Sequence, residues 1–199
     1  MKSSKSILEY ALTGSLRWKP QSGYDLRKTF TTTGMRHYSD SPGSIYPALR
    51  RLQKRGWIEA VAGSSEQDDP RKRQLYAMTE DGKTALVAWL SQPVTRDDVN
   101  FRASELMLRF ALMDGNVPRA VTIQFLADFE RERAVYAAES RGKLEEMRSK
   151  AGLHTGVLAF ESGIEGMEAQ VSWARRTRER LEQALREAPP IDPGEAGRS

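Results

Sequence analysis

The residues of this chain best equipped for chemistry lie in Ser41–Gly56, reading SPGSIYPALRRLQKRG. Ser44, Tyr46, Arg50, Arg51 and Lys54 bring a hydroxyl, a phenol, two guanidiniums and an ammonium onto one short segment. Such groups donate hydrogen bonds to phosphate oxygens and base edges. Ile45, Leu49 and Leu52 recur at i, i+4 and i+7, so they share the other face of a helix. Pro42 suits a first helical position after Ser41 as N-cap, and Gly56 suits the residue past the C-cap. Pro47 leaves the start of this helix open. It either kinks a helix beginning at Ser41 or sits in the first turn of one beginning nearer Ser44. Most basic amphipathic helices are simply solvated on their polar side, so the segment needs support from the rest of the chain.

Other chemistry finds little material. There is no cysteine, which excludes disulfides and thiolate-ligated metals and fits a reducing compartment. The only histidines are His37, in a polar connection, and His154, in a glycine-flanked turn. Neither has the neighbours of a catalytic base. No phosphate-binding glycine loop and no metal-ligand spacing is present, and the pair Glu145-Glu146 reads as a solvated helix face. The expectation is a protein that is not an enzyme and carries no cofactor or metal. No apolar run reaches membrane length, and the N-terminal residues lack the pattern of a secretory leader, so a cytoplasmic location is expected.

The charge is uneven. Across 199 residues the formal net charge is +4 and the pI is near 9.4. Residues 1–90 hold 15 Lys+Arg against 9 Asp+Glu, while residues 91–199 hold 16 against 18. A basic half joined to a slightly acidic one suggests a polyanion-binding module attached to something else.

The elements that would position the basic residues follow in order. Ser6–Trp18 carries an apolar stripe of Ile7, Leu8, Ala11, Leu12 and Leu16, broken at Pro20. Ser22 and Asp25 form a capping pair for a second helix reaching about Thr31, with Leu26 and Phe30 inward and Arg27 and Lys28 outward. Tyr24 suits either that helix's core or a phosphate contact. A polar connection (Thr31–Asp40) leads to the third helix. Residues 57–62 and 74–79 read as two short strands joined by the polar loop Gly63–Pro70. Thr79 caps a closing helix with Glu80 and Asp81 in its first turn. Three helices, a hairpin and a helix in this order describe a winged helix-turn-helix, in which the third helix enters the major groove and the wing meets the backbone.

Three motifs strengthen this reading. Gly23-Tyr24-Asp25-Leu26, Ser41-Pro42-Gly43-Ser44-Ile45-Tyr46-Pro47-Ala48-Leu49 and Tyr76-Ala77-Met78-Thr79 with Gly82 resemble, at matching spacing, the PadR family of bacterial transcriptional regulators. The likeness covers about residues 5–90. Ser22 replaces the histidine common before Gly-Tyr, and the wing tip is long and acidic at Asp68-Asp69. The expected DNA contacts are Ser44, Tyr46 and Arg50 toward bases or phosphate, Arg51, Lys54 and Tyr24 toward phosphate, and Arg71, Lys72 and Arg73 from the wing. The resemblance also implies a homodimer, repression as the commoner mode, and relief by phenolic acids or planar drugs. Trp18, Trp57, Trp89 and Trp173 would either line such a ligand pocket or belong to plain core.

The second half reads as helices. Phe101–Met113 is strongly apolar, residues 119–150 are long and charged, and Val157–Glu187 carries a seam. Phe160, Ile164, Met167, Val171, Ala174, Arg178, Leu181 and Leu185 alternate steps of four and three, an a/d pattern with one polar member. The seam needs a partner, which is either residues 119–150 of the same chain or a second copy. The family resemblance favours the second copy, placing the longer subfamily's virulence-activator-like helices at a dimer interface. A two-fold dimer spaces its recognition helices about one DNA turn apart (~34 Å), matching a near-palindromic operator.

The expected fold is therefore mainly α with a small β-hairpin. A winged helix-turn-helix DNA-binding domain covers 1–92, a C-terminal helical, coiled-coil-like dimerisation and effector domain covers 93–188, and a disordered tail covers 189–199. The expected partners are double-stranded DNA, a second copy and a small aromatic effector, with no membrane. The competing reading is a helical protein–protein interaction module whose basic half is incidental.

Overall fold

The computed structural model describes residues 4–32, 42–61 and 73–187. The polar connection with His37, the N-cap candidate Ser41, the loop Gly63–Pro70, the wing residues Arg71 and Lys72, and the tail lie outside the described residues. The chain forms two compact units, Met1–Gln92 with Ala103–Pro118, and Pro93–Arg102 with Arg119–Ser199. The division near residue 92 expected from sequence is therefore crossed once, because Ala103–Pro118 groups with the first unit.

In the first unit, α1 (Ser4–Ser15) buries Leu8, Ala11 and Leu12, and Leu16 just beyond it, as its periodicity predicts. It ends before Trp18, and the Leu16 and Arg17 amides bond back to the Thr13 and Gly14 carbonyls in a tightened last turn. Strand β1 (Gln21–Ser22) runs directly into α2 (Gly23–Thr32). The Ser22 hydroxyl accepts from the Asp25 amide at 3.2 Å and donates to the Asp25 carboxylate at 2.6 Å, so the expected cap is formed. A 3₁₀ turn (Pro42–Ser44) precedes α3 (Ile45–Lys54), which settles the question at Pro47. Pro47 lies in the first turn, where its missing N–H costs no intrahelical bond. At the other end Gly56 takes φ +72°, its amide bonds the Gln53 carbonyl, and the Trp57 amide bonds Leu52. This paired closure is a Schellman motif.

Strands β2 (Ile58–Ala60) and β3 (Leu75–Met78) form the expected hairpin, and β1 adds a third strand on the far side of β3. All pairs are antiparallel, with Ile58 opposite Met78 and Gln21 opposite Tyr76. The fold is a winged helix-turn-helix with a three-stranded sheet. Helix α4 (Glu80–Leu90) begins at the Thr79 cap, whose hydroxyl accepts from the Gly82 amide and donates to the Gly56 carbonyl at 2.5 Å. Leu86, Trp89 and Leu90 are buried, and Tyr10 stacks on Trp89 with ring centroids 4.5 Å apart.

The apolar segment expected as one helix from Phe101 is split. Helix α5 (Arg96–Phe101) opens with a Thr95–Asp98 capping box, and α6 (Ala103–Met113) follows after Arg102, whose φ of −134° is not helical. In the first unit α6 packs against α1 and α4, and Arg109 donates to the carbonyls of Leu90 (3.2 Å) and Gln92.

The second unit contains α5, α7 (Arg119–Ala151) and α8 (Thr155–Glu187). Gly152, at φ +68°, lets the chain reverse. Ion pairs Arg148–Glu161 (2.6 Å), Arg141–Glu168 (2.5 Å) and Arg175–Glu130 (2.7 Å) register α7 against α8 as an antiparallel pair. Part of the α8 seam is occupied within the chain. Ile164 and Ala174 are buried, and Phe160 packs on Leu144, Val157 and Ile164. Met167, Val171 and Leu181 are half-buried, and Leu185 is exposed. Arg178, the polar member, reaches Glu130 on α7 at 3.2 Å and Glu182 one turn on at 2.8 Å.

Two outcomes are expected. A Cβ at Gly82 would lie 2.1 Å from the Trp57 carbonyl oxygen, a backbone atom that cannot swing away. Gly82→Ala is expected to destabilise the first unit by about 3 kcal/mol, measured by chemical denaturation followed through tryptophan fluorescence. In the second unit, burial works to raise the Glu130 carboxyl, but hydrogen bonds and charge from Arg175 and Arg178 prevail and hold it below the usual carboxylate range. A carboxyl depressed by folding contributes stability above its unfolded pKa of about 4.3 and loses it as pH falls through the lower folded value. Glu130→Gln should lower stability at neutral pH and make the acid limb shallower, as read by circular dichroism against pH.

Candidate nucleic-acid interface

Helix α3 is anchored by Ile45, Ala48, Leu49 and Leu52, each at most 1% exposed. That anchoring decides what remains outside. Tyr46 and Arg50, one turn apart, are exposed, and Lys54 continues their side of the helix. Ser44, at the N-cap, is half-buried. The start of the helix thus presents a hydroxyl and a phenol where backbone N–H groups also favour anions, and the next turn adds a guanidinium.

Tyr46 belongs to a second cluster. Gly23 opens α2 so close to α3 that a Cβ there would lie 2.7 Å from the Tyr46 ring. Tyr24, next in sequence, is 42% exposed and so stands outside the core. The Arg73 guanidinium lies 3.9 Å from the centre of the Tyr24 ring and 4.0 Å from the Asp25 carboxylate. Ser22, Gly23, Tyr24, Tyr46, Arg73, Gln74 and Tyr76 line a shallow cleft of about 280 Å³. The pairing of β1 with β3 brings the start of α2 and the end of the wing to one place. Three phenols and a guanidinium converge there, a donor-rich surface suited to phosphate and sugar oxygens. The Ser22 hydrogen bond, aided by Arg73, holds the Asp25 carboxyl below its usual range, so this carboxylate is committed to these partners.

The other expected contacts fall differently. Arg51 turns to Glu9 of α1, with its Nε 2.6 Å from Glu9 Oε1. Arg55, which the sequence did not single out, donates to the second Glu9 oxygen at 2.5 Å. Glu9 itself is 2% exposed. Arg71 and Lys72 lie outside the described residues, which leaves Arg73 as the wing cation whose place is known. Gln74 and Tyr76 were missed because their strand read as hairpin framework. Their alternation with Leu75 is the signal that places them on one side of β3.

Two of the tryptophans, Trp57 and Trp89, share Tyr10 as a ring neighbour. Trp89 is core and Trp57 is half-buried, its ring 5.4 Å from that of Tyr10. Trp173 meets Phe129 edge-on in the second unit. Trp18 alone is widely exposed, on a cleft of about 430 Å³ shared with Lys19, Met78 and Lys83. Among the described residues no group of three or more metal-ligating side chains is gathered, and no helix is long and apolar enough to cross a membrane.

The comparison with known proteins addresses the same region. Residues 12–88 match the model of the transcriptional regulator PadR-like family. The likeness to that family is confined to this stretch, which is less than half of the chain. It is similar to the negative transcriptional regulator PadR of Bacillus subtilis, with 32% identity over 90 residues covering 44% of this chain and 48% of the relative. The match therefore spans about half the length of that relative. Among solved structures, that of Bacillus subtilis PadR in complex with operator DNA is similar at 23% identity, covering 87% of this chain and 97% of the other, with a TM-score of 0.40. The complex of the same regulator with p-coumaric acid gives 23% identity, coverage of 92% and 99%, and a TM-score of 0.38.

Proposed function

We propose that this chain is a PadR-like transcriptional regulator that binds a specific DNA operator through α3 and the cleft formed by α2, α3 and the wing, and acts as a repressor. The observation that supports this best is the exposed pair Tyr46 and Arg50 at the N-terminal end of a helix whose opposite face is wholly buried. In a winged helix-turn-helix that end enters the major groove, where Arg pairs with guanine and hydroxyl donors meet phosphate. Lys54, Tyr24 and Arg73 then contact the backbone, and Ser44 contributes from the N-cap. The basic first half agrees with such a partner, and Bacillus subtilis PadR is itself called a negative regulator.

The finer parts of the proposal are a homodimer, a near-palindromic operator and release by a small aromatic ligand. The α7–α8 pair leaves Val135, Leu153, Leu158 and Leu185 exposed, apolar surface that a second copy would cover together with the half-buried seam residues Phe160, Met167, Val171 and Leu181. Residues 1–92 serve as the DNA reader and 93–188 as the dimer and effector part, with Ala103–Pro118 packed into the reader. Exposed Trp18, with the Arg17 guanidinium 4.1 Å from its ring centre, lies on a cleft with Lys19 and with Lys83, which is paired to Glu80. These cations and the ring are the groups that would meet an aromatic carboxylate, and a complex with p-coumaric acid is known for the Bacillus subtilis relative.

Selection of bound duplexes from a random pool should return one near-palindromic sequence. Arg50→Ala and Tyr46→Ala should each weaken binding to it by tenfold or more, about 1.4 kcal/mol or above, with unchanged circular dichroism. Full-strength binding by both variants would refute this use of α3. Titration with p-coumarate and related aromatic acids should quench tryptophan emission and release the duplex. A Trp18→Phe variant should lose most of the quench, and no response across the panel would remove the effector from the proposal.

A further inference from the structure

The Glu9 carboxylate is 2% exposed on the apolar side of α1, and a charge so placed must be paired. It is paired twice. Arg51 and Arg55 stand one turn apart near the end of α3, so both reach the same carboxylate, one to each oxygen, at 2.6 and 2.5 Å. Their side chains are 37% and 50% exposed, so both guanidiniums remain at the surface while their donors are directed inward. Arg55 is further held beside the Trp57 ring, 5.5 Å from its centre. Four cations lie on this helix and its cap, Arg50, Arg51, Lys54 and Arg55, and this single buried carboxylate holds two of them.

We infer that Glu9 is a specificity-determining clamp: by holding Arg51 and Arg55 it keeps them off phosphate, lowering affinity for arbitrary DNA while Tyr46 and Arg50 read the operator. The inference rests on the DNA-binding function proposed above. Each cation that neutralises a phosphate strengthens binding to every sequence alike and steepens its salt dependence. Specificity is the difference between operator and background binding, so withholding such cations raises it without a single base contact. The same two bonds tie α1 to α3, and a purely structural tie would leave the salt dependence of DNA binding unchanged when loosened. The two roles are therefore separable by measurement.

The test uses a random-sequence duplex and the full chain. Glu9→Gln keeps the side-chain shape and one acceptor while removing the charge. Its binding to the random duplex should tighten by about tenfold at low salt, with the log–log salt slope steeper by about one to two, and its preference for the operator should shrink. Arg55→Gln in the wild-type background should leave the slope unchanged, because Arg55 is already withheld. In the Glu9→Gln background the same change should bring the slope back by about one. An unchanged slope in folded Glu9→Gln overturns the clamp. If Glu9→Gln does not fold, Arg55→Gln alone decides, since a shallower slope in that variant places Arg55 on phosphate and also overturns it. Failure of the wild type to bind any duplex refutes the DNA function. The clamp falls with it, whereas a wild type that binds while folded Glu9→Gln keeps the same salt slope refutes the clamp alone.

Discussion

Burial of one face of α3 is the constraint from which the contact surface follows. Ile45, Ala48, Leu49 and Leu52 leave almost no accessible surface, and each large aliphatic among them is worth about 1.5–3 kcal/mol of transfer free energy. A helix held this firmly cannot rotate about its axis without exposing those groups. Its rotation in turn points Tyr46 and Arg50 outward and Arg51 toward α1. Gly23 permits the close approach of α2 that brings Tyr46 beside Tyr24, and the β1–β3 pairing delivers Arg73 to the same place. The interface is thus a by-product of packing on its far side.

Periodicity made the helices readable, because burial on one face leaves a regular trace in residue type. The caps at Ser22 and Thr79 and the glycine after α3 were readable for the same kind of reason, each answering a specific unsatisfied backbone group. What escaped was set by contacts distant in sequence. Strand β1 has two residues, too few for any alternation, and exists only because β3 lies beside it. Glu9 interrupts an apolar stripe and looks like a solvated residue until Arg51 and Arg55, more than forty positions later, are seen against it. Tyr24 suited either core or surface by type, and its exposure was decided by the neighbours of α2. The break at Arg102 lies within a segment whose composition favours helix throughout.

The second unit shows a different balance. Its two long helices are joined by ion pairs as well as by buried apolar residues, so charge contributes to the alignment. Glu130 receives Arg175 and Arg178, and Arg178 occupies a seam position where an aliphatic side chain would pack without orientation. A charged seam member costs stability relative to leucine and in return favours one alignment of the pair, as polar core positions do in coiled coils. Exposed pairs such as Arg141–Glu168 contribute little individually, so their value here lies in which register they permit.

The join between α3 and α4 has a consequence for how this domain tolerates variation. The Gly56 carbonyl accepts from Thr79, the Trp57 carbonyl accepts from the Thr79 amide, and Gly82 nestles against the same carbonyl. These bonds close the base of the wing without drawing on residues 62–72. Closure entropy grows only slowly with the length of such a segment, each doubling adding about 0.6 kcal/mol. Insertions or deletions there are insulated from α3, so wing length is a trait that evolution, or an engineer, can vary with that helix held in place.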